Sequence, residues 1–533
     1  MIRDVSDAWI ENQNQYMTSP ANIEITCDII DPTAQKNAKT TADGTTFYSD
    51  MNSVTSLDDY SDTPVATLEW NFWCLDGTFT LPHNSTDVFS GSGYAGTGQK
   101  VTVSFSKVME NPIPGIVITW GKIYDEYPTN FSVIVKNGSA IVGSVAVNNN
   151  TSTETTIETP FANYDSIEIV VNSWKIPNRR YRIRSIVLGW SVSFDKNDIL
   201  TFNHKSTADP ISGVLPKNSV DFSISNYDNK WDITNERSFA RYITERQKVS
   251  TKYGFEINGS TEWIKGGVFY LYEWKTASNG LNVGFVARDA MEFMIDELYK
   301  TDETEMTLFD HCVSAFSQSS ITIDYVLDER LKEYSVSIKN EDYSIAEILQ
   351  YCANAVGDGI YQDRDGVIHV ENVFVDGEGD YQIARLMQYN HPETEFSKPL
   401  GSVTVTYEDN INHTVKTETD GVNQTLRNAF ITSQEQADII AVKTIEYLGV
   451  RETLSVNYRA DPRLDVFDFA RIYGKDGYTD VLVTEIDYNF GGAFRATIKG
   501  RKAIEPPYLT DVYGNRFETT DGYLLTIRKE EQT

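Results

Sequence analysis

The sequence predicts a mainly β protein with α+β parts. Short runs of alternating apolar and polar residues, separated by turn residues and almost free of helical periodicity, fill the stretch 76–190. The same alternation returns in 191–300 and in 399–503, while amphipathic helical periodicity gathers between those blocks, around 301–398. With 533 residues, 40% of them hydrophobic and 12% aromatic, the chain holds enough apolar material for several packed cores.

Residues 1–17 read as a short helix. Ile23, Ile25, Cys27 and Ile29 then alternate with Glu24, Thr26 and Asp28 in a half-buried strand closed by Pro32. From there to Pro64 the composition turns to Thr, Ser, Asp, Asn and Gly, a long excursion with little core of its own, after which Leu68, Trp70 and Phe72 restore the strand pattern. Runs at 101–105, 115–120, 131–136, 141–147, 167–172 and 183–190 make an antiparallel sandwich. Beyond it, 220–224 alternates before a turn at Asn226, Asp228 and Asn229, strands follow at 252–256 and 267–274, and 290–299 reads as a helix. A further helix at 307–316 puts Leu308, Cys312 and Ala315 on one face.

The most legible stretch is 344–371. Ser344 with Glu347 three places on is a capping box, and Ile345, Ile348, Leu349, Cys352, Ala355 and Val356 share one helical face until Gly357 stops the helix. Strands at 359–362 and 367–370 are joined by Asp363-Arg364-Asp365-Gly366, a tight turn. Asp363 and Asp365 suggest a calcium loop, but the further oxygen ligands and closing bidentate Glu are missing, so the stretch reads as a plain hairpin in which Asp363→Asn should change little. The block 399–503 supplies a strand at 402–407, a hairpin region to 417, a helix from Ser433 (boxed with Gln436) to Leu448 closed by Gly449, a strand at 453–458 and a closing hairpin around Gly491-Gly492. Residues 504–533 are a C-terminal extension.

Charge and motifs restrict function. Lys plus Arg number 46 against 77 Asp plus Glu, a net −31, which repels phosphate and argues against nucleic-acid recognition. Cys27, Cys74, Cys312 and Cys352 form neither CxxC pairs nor a disulfide framework and read as reduced core residues. The N-terminus lacks a signal peptide's basic start and apolar run, and no stretch reaches membrane-span length, so synthesis in the cytoplasm is expected. The glycines of 93–98 are spaced like a phosphate loop, but Gln99 and Lys100 stand where Lys and Ser or Thr belong, and a strand follows in place of a helix. His83, His204, His311, His369, His391 and His413 are dispersed, without metal spacing, and no hydrolase elbow or reactive-cysteine signature occurs. No cofactor, metal or catalytic residue is assigned, and the expectation is a protein that is not an enzyme. Trp120, Tyr124, Tyr127, Trp174 and Tyr181 either line a carbohydrate site or fill the sandwich.

Two motifs carry a family resemblance. The helix followed by Gly359-x-Tyr361-x-Asp363-x-Asp365-Gly366-x-Ile368-x-Val370, and Asp461-Pro462-x-Leu464-x-x-x-Asp468-x-Ala470 before the closing strands, resemble the baseplate hub and tail-tip proteins of tailed phages and prophages, including the N-terminal hub region of tail-associated lysins. More weakly, 118–131 with Tyr164, Asp165 and 182–186 looks like the galactose-binding-like jelly rolls that such proteins carry as insertions. The resemblance implies a discontinuous first hub β-barrel at 1–75 and 191–300, an inserted β-sandwich at 76–190, a helix–hairpin domain at 301–398 and a second hub β-barrel at 399–503. It further implies a homotrimer in a virion tail, joined to distal tail or tube, tape-measure and receptor-binding or fibre proteins, through which genome DNA passes without specific binding. The alternatives are a carbohydrate-binding adhesin acting through the sandwich on a host-surface glycan, and a tail-associated lysin without its catalytic domain.

Overall fold

Apolar residues at alternate positions commit thirteen strands to one sheet. In chain order they are β1 (Ala21–Ile30), β2 (Gly189–Asp195), β3 (Ile199–Thr207), β4 (Lys217–Ser225), β5 (Lys248–Ile257), β6 (Ser260–Thr276), β7 (Asn282–Arg288), β8 (Tyr381–Ile383), β9 (Glu393–Phe396), β10 (Glu452–Arg459), β11 (Phe469–Gly474), β12 (Gly477–Phe490) and β13 (Phe494–Lys502). Across the sheet they run β2-β1-β5-β6-β7-β4-β3-β12-β13-β10-β9, with β11 also on β12 and β8 on β11. The structure, a computed structural model, describes residues 3–30, 34, 37–42, 92–94, 99–121, 125–175, 180–227, 231, 242–276, 280–301, 305–338, 342–373, 375, 377, 379, 381–407, 410–475 and 477–504. The expected strand at Leu68, Trp70 and Phe72, the turn residues Asp228 and Asn229, and the extension from 505 lie outside these residues. The chain divides into two compact units, Met1–Ile25 with Phe194–Ser225 and Val249–Thr533, and Thr26–Ser193 with Asn226–Lys248.

In the first unit one aromatic row crosses five adjacent strands. Trp274, Phe285, Phe222, Phe202 and Phe490 stand opposite one another on β6, β7, β4, β3 and β12. Phe222 and Phe285 stack with centroids 5.0 Å apart, and each such cross-strand pair adds roughly 0.2–1 kcal/mol. The sheet also curls: Tyr253 on β5 lies 5.8 Å from Phe202 on β3 and 5.3 Å from Phe494 on β13, ring to ring. The mainly β class with α+β parts holds. Antiparallel pairing of Phe202–Thr207 with Glu485–Phe490 merges the strands of both blocks into one sheet, and among the described residues no ring of strands closes.

Five helices of the first unit follow their caps. Ser6 caps α1 (Asp7–Asn14), Asp289 caps α2 (Ala290–Ile295), Thr307 caps α3 (Leu308–Gln318), Ser344 caps α4 (Ile345–Ala355) and Ser433 caps α5 (Gln434–Gly449). At α4 the capping box is complete, and Gly357 leaves the helix at φ +72°. At α5 it is half complete, because the Gln436 side chain accepts from Thr432 N–H (2.9 Å) and not from the cap. Helix α2 stops three residues after Glu292, short of the expected 299, because Tyr299 N–H donates to Tyr343 O (2.9 Å) and Ile345 N–H to Glu297 O (2.7 Å). Helices α3, α4 and α5 share one core in which Leu308, Cys312, Ile348, Leu349, Cys352 and Ile440 are fully buried. Cys312 and Cys352, distant in sequence, are neighbours there, and burial followed by Cys312 pushes the Cys352 thiol up. A strand the alternation did not reveal, Val422–Arg427, pairs parallel to Leu400–Tyr407, its side chains too exposed to leave an apolar trace.

The cap of α2 has a pH consequence. Asp289 is 2% exposed, and burial pushes its carboxyl up to about 7. Because the folded value lies above the unfolded one, the charge opposes folding above pH 7 and is relieved as pH falls toward 4. Asp289→Asn keeps a capping oxygen, so it is expected to raise stability by on the order of 1 kcal/mol at pH 8 and by little at pH 4.5. Calorimetric melts at the two pH values check this.

In the second unit two antiparallel sheets enclose one core. The five-stranded sheet runs Lys39–Ala42, Gln99–Met109, Tyr164–Trp174, Pro128–Asn137, Ala140–Asn148, and the four-stranded one Ser92–Tyr94, Arg180–Val187, Ile116–Trp120, Glu154–Ile157. Val103, Ile118, Val133, Ile169 and Ile186 are fully buried in that core. The run expected as one strand at 183–190 breaks before Gly189, whose φ is +135° and whose added Cβ would lie 2.0 Å from Ile29 O.

Candidate functional site

The hairpin of the middle region docks through a side chain that its sequence does not advertise. Gly359–Gln362 and Ile368–Glu371 pair antiparallel, and Gly366 takes φ +87° in the turn. Arg364, at the turn, is 3% exposed. Its Nε–H donates to Asp465 Oδ2 (2.8 Å), its Nη2–H to Leu464 O (2.6 Å), and its Nη1–H to Pro462 O and Lys265 O. Burial, the largest influence, would push the guanidinium down, but the surrounding acidic groups, Asp465 first and Asp468 among them, together outweigh it and hold Arg364 charged.

The acceptor turn is equally tied down. Asp461, fully buried, receives Trp9 Nε1–H (3.2 Å) on one oxygen and Arg463 Nε–H (2.8 Å) on the other. Asp468 Oδ2 accepts from Asp465 N–H (2.8 Å), and Tyr488 O–H donates to Leu464 O (2.6 Å). Phe467 takes φ +66°, uncommon for a ring-bearing residue, while its N–H donates to Val483 O (2.7 Å). The two motifs found separately in the sequence therefore form one clasp, with α1 closing it through Trp9. Two parts escaped sequence reading. Arg364 was passed over between the conspicuous aspartates, and the strain at Phe467 has no sequence signal.

Asp363 does more than a plain hairpin asks. Its Oδ1 accepts from Asp365 N–H (2.8 Å) and Val367 N–H (2.9 Å), and its Oδ2 faces His369 Nε2 (3.2 Å). Asp365 meets Lys265 and Arg3. Both carboxylates of the would-be calcium loop thus serve the turn and its neighbours, and the expectation that Asp363→Asn changes little is revised to a measurable loss. His369 Nδ1 lies 3.9 Å from Glu371, Tyr361 stacks on the His369 ring at 5.0 Å, and the Tyr361 hydroxyl donates to Glu371 (2.6 Å).

The hydrogen bond to Asp363, and then the nearby Glu371 carboxylate, raise His369 to about 9. The folded value lies above the unfolded value of about 6.5, so this contribution is full below pH 6.5 and is lost as pH rises through 9. We expect it to be on the order of 1–2 kcal/mol after allowance for partial exposure. Unfolding at pH 6 and pH 9.5 should show the loss in the native chain and a flattened response in His369→Gln.

Three of the other histidines are occupied by structure. His204, pushed down to about 4 by burial and then by the Arg364 charge, pairs with Tyr253 Oη (2.8 Å) and Asn218 Oδ1 (2.9 Å). His311 meets Tyr299 Oη (2.9 Å) and Val336 O (3.1 Å), and His413 meets Asp438 (2.6 Å). His83 lies outside the described residues. Among the described residues no group of three or more His, Cys, Asp or Glu side chains is placed to hold a metal ion. The glycine run has Gly96 and Gly98 outside the described residues, and Gln99 opens a strand.

Of the five aromatic sugar candidates, the structure brings Trp120 and Trp174 together, as neighbours in the core of the second unit. They meet edge to face at 6.0 Å, Trp120 is fully buried and Trp174 is 6% exposed, and Trp120 Nε1–H donates to Thr155 Oγ1 (3.1 Å). Neither offers a free ring face. Tyr127 is half-buried with Lys175 Nζ 4.7 Å from its ring centre. Tyr124 lies outside the described residues, as does the side chain of Tyr181.

No family model matches the chain, and no curated protein is similar to it. Among solved structures it is similar to the 43 kDa tail protein of prophage MuSo2 from Shewanella oneidensis, 11% identical with TM-score 0.41, over 58% of this chain and 94% of that one. It is likewise similar to the tail protein from Neisseria meningitidis, 11% identical with TM-score 0.40 over 58% and 93%, and to a prophage tail protein from Listeria monocytogenes, 10% identical with TM-score 0.38 over 58% and 92%.

Proposed function

We propose that the chain is a structural virion protein, a baseplate hub or tail-tip component that closes the distal end of a phage tail and joins the tail tube to receptor-binding or cell-puncturing parts. The observation that carries this reading is the clasp: the two sequence segments on which the hub resemblance rests, 359–370 and 461–470, are locked to each other through Arg364. The polar side chains of the clasp serve to hold backbone in place, as a rigid frame requires.

In this reading three chains ring the tail axis and match a six-fold tube, since each contributes two hub-like halves. The domain boundaries implied by the resemblance, with 76–190 inserted between parts of the first half, belong to the same proposal. So does an acidic bore: with a net charge of −31, carboxylates lining it would keep DNA phosphates from adhering during ejection. Antibody labelling of purified particles is the test. Label at the distal tip, with the tube protein recovered in cross-links, is expected; label on the capsid or along the tail shaft overturns the assignment, and a native mass of one chain in the extracted tip overturns the trimer.

Among the described candidates, carbohydrate binding by the second unit would begin at Tyr127, because Trp120 and Trp174 are buried. A glycan array probed with the full chain, with Tyr127→Ala as control, decides this second reading.

A further inference from the structure

The five-stranded sheet of the second unit ends in Ala140–Asn148, which among the described residues pairs only with Pro128–Asn137. Its outward row of N–H and C=O groups finds no partner among the described residues. Free edges of this kind are usually guarded by a lysine, a proline, an inward charge or a very short strand. Here the strand is nine residues long, AIVGSVAVN, and holds none of those devices. A register shift occurs near the turn, at Val135/Lys136, and Gly143 onward is regular. Ile141 is 63% exposed and Val142 45%.

We infer that this edge is an interface whose occupant is the same edge of a second copy of this chain, added antiparallel. Charge selects the occupant. Two copies at −31 each repel over most of their surfaces, yet residues 137–153 contain no Asp, Glu, Lys or Arg. Two strands in from Ser144, Glu168 is held between Lys100 (2.9 Å) and Lys136 (2.7 Å), so the adjoining sheet face brings no unpaired carboxylate there. The strand is also its own complement. Pairing centred on Ser144, the midpoint of the nine, sets Val142 opposite the partner's Ala146 and leaves no like charges facing across the ladder. The contact continues the sheet from one copy into the next and supplies the missing hydrogen bonds to both edges. It stands independently of the virion reading, since it doubles whatever assembly the chain forms.

The test uses the full chain. Sedimentation velocity over a wide concentration range should show the basal assembly doubling in mass, and Val142→Lys, a solvent-facing change, should weaken the doubling at least tenfold. Ser144→Cys, oxidised with copper phenanthroline, should give a chain-to-chain disulfide on non-reducing gels, because only a residue at the midpoint meets its own copy. Leu200→Cys, equally exposed in the other unit, should not. A mass that never doubles, doubling unaffected by Val142→Lys, or cross-linking no greater than at Leu200→Cys overturns the inference.

Discussion

Arg364→Ala is expected to cost roughly 3–5 kcal/mol, the loss typical when one member of a buried charge pair is removed. The substitution leaves Pro462 O without its Arg364 donor, leaves Leu464 O with the Tyr488 hydroxyl alone and leaves Asp465 without its cation, in a site where water does not reach the guanidinium. Arg364→Lys keeps a charge but not the planar fork, and a single ammonium cannot point at Asp465, Leu464 and Pro462 together, so it should recover only part of the loss. Denaturant unfolding, read with hydrogen exchange at Ile360 and Val370 amides, reports both variants. A loss under about 1 kcal/mol for Arg364→Ala would mean that the clasp is not what holds the hairpin.

Leu349→Ala should cost roughly 2–5 kcal/mol, the range for a buried leucine whose cavity only partly collapses. Leu349 is fully buried among α3, α4 and α5, where Cys312, Cys352 and Ile440 are also fully buried. Helix–helix cores of this kind have little room to relax because each neighbour is itself wedged. Calorimetry of the full chain checks it, with Leu349→Met, which nearly conserves volume, expected to lose under about 1.5 kcal/mol. Equal effects from the two substitutions would show that the position tolerates a void.

Both predictions concern the same region, and they differ in how far the sequence foresaw them. Leu349 is legible because helical periodicity marks it: with Ile345, Ile348 and Cys352 it repeats on one face after a capping box, and all four are buried in the structure. Arg364 is not legible, because its four acceptors come from residues about a hundred positions away and nothing in a four-residue turn specifies them. The same reason separates Trp120 and Trp174 from the sugar-site expectation. Their residue type suits stacking on a pyranose or filling a core, and only their 0% and 6% exposure distinguishes the two.

By itself the sequence determined what neighbouring residues control: the mainly β class, the alternation of most strands, the caps at Ser344 and Ser433 and the stop at Gly357. These follow from periodicity and from local hydrogen bonds that span a few positions. Tertiary structure alone decided that β3 pairs with β12, so that strands of both β-rich blocks lie in one sheet of thirteen strands. It alone set Cys312 beside Cys352, stopped α2 at Ile295 and placed Val422–Arg427 parallel to Leu400–Tyr407. Strand partners and buried ion pairs are chosen by which distant surfaces meet once the chain has collapsed, and a residue's own neighbours in sequence carry no record of that choice.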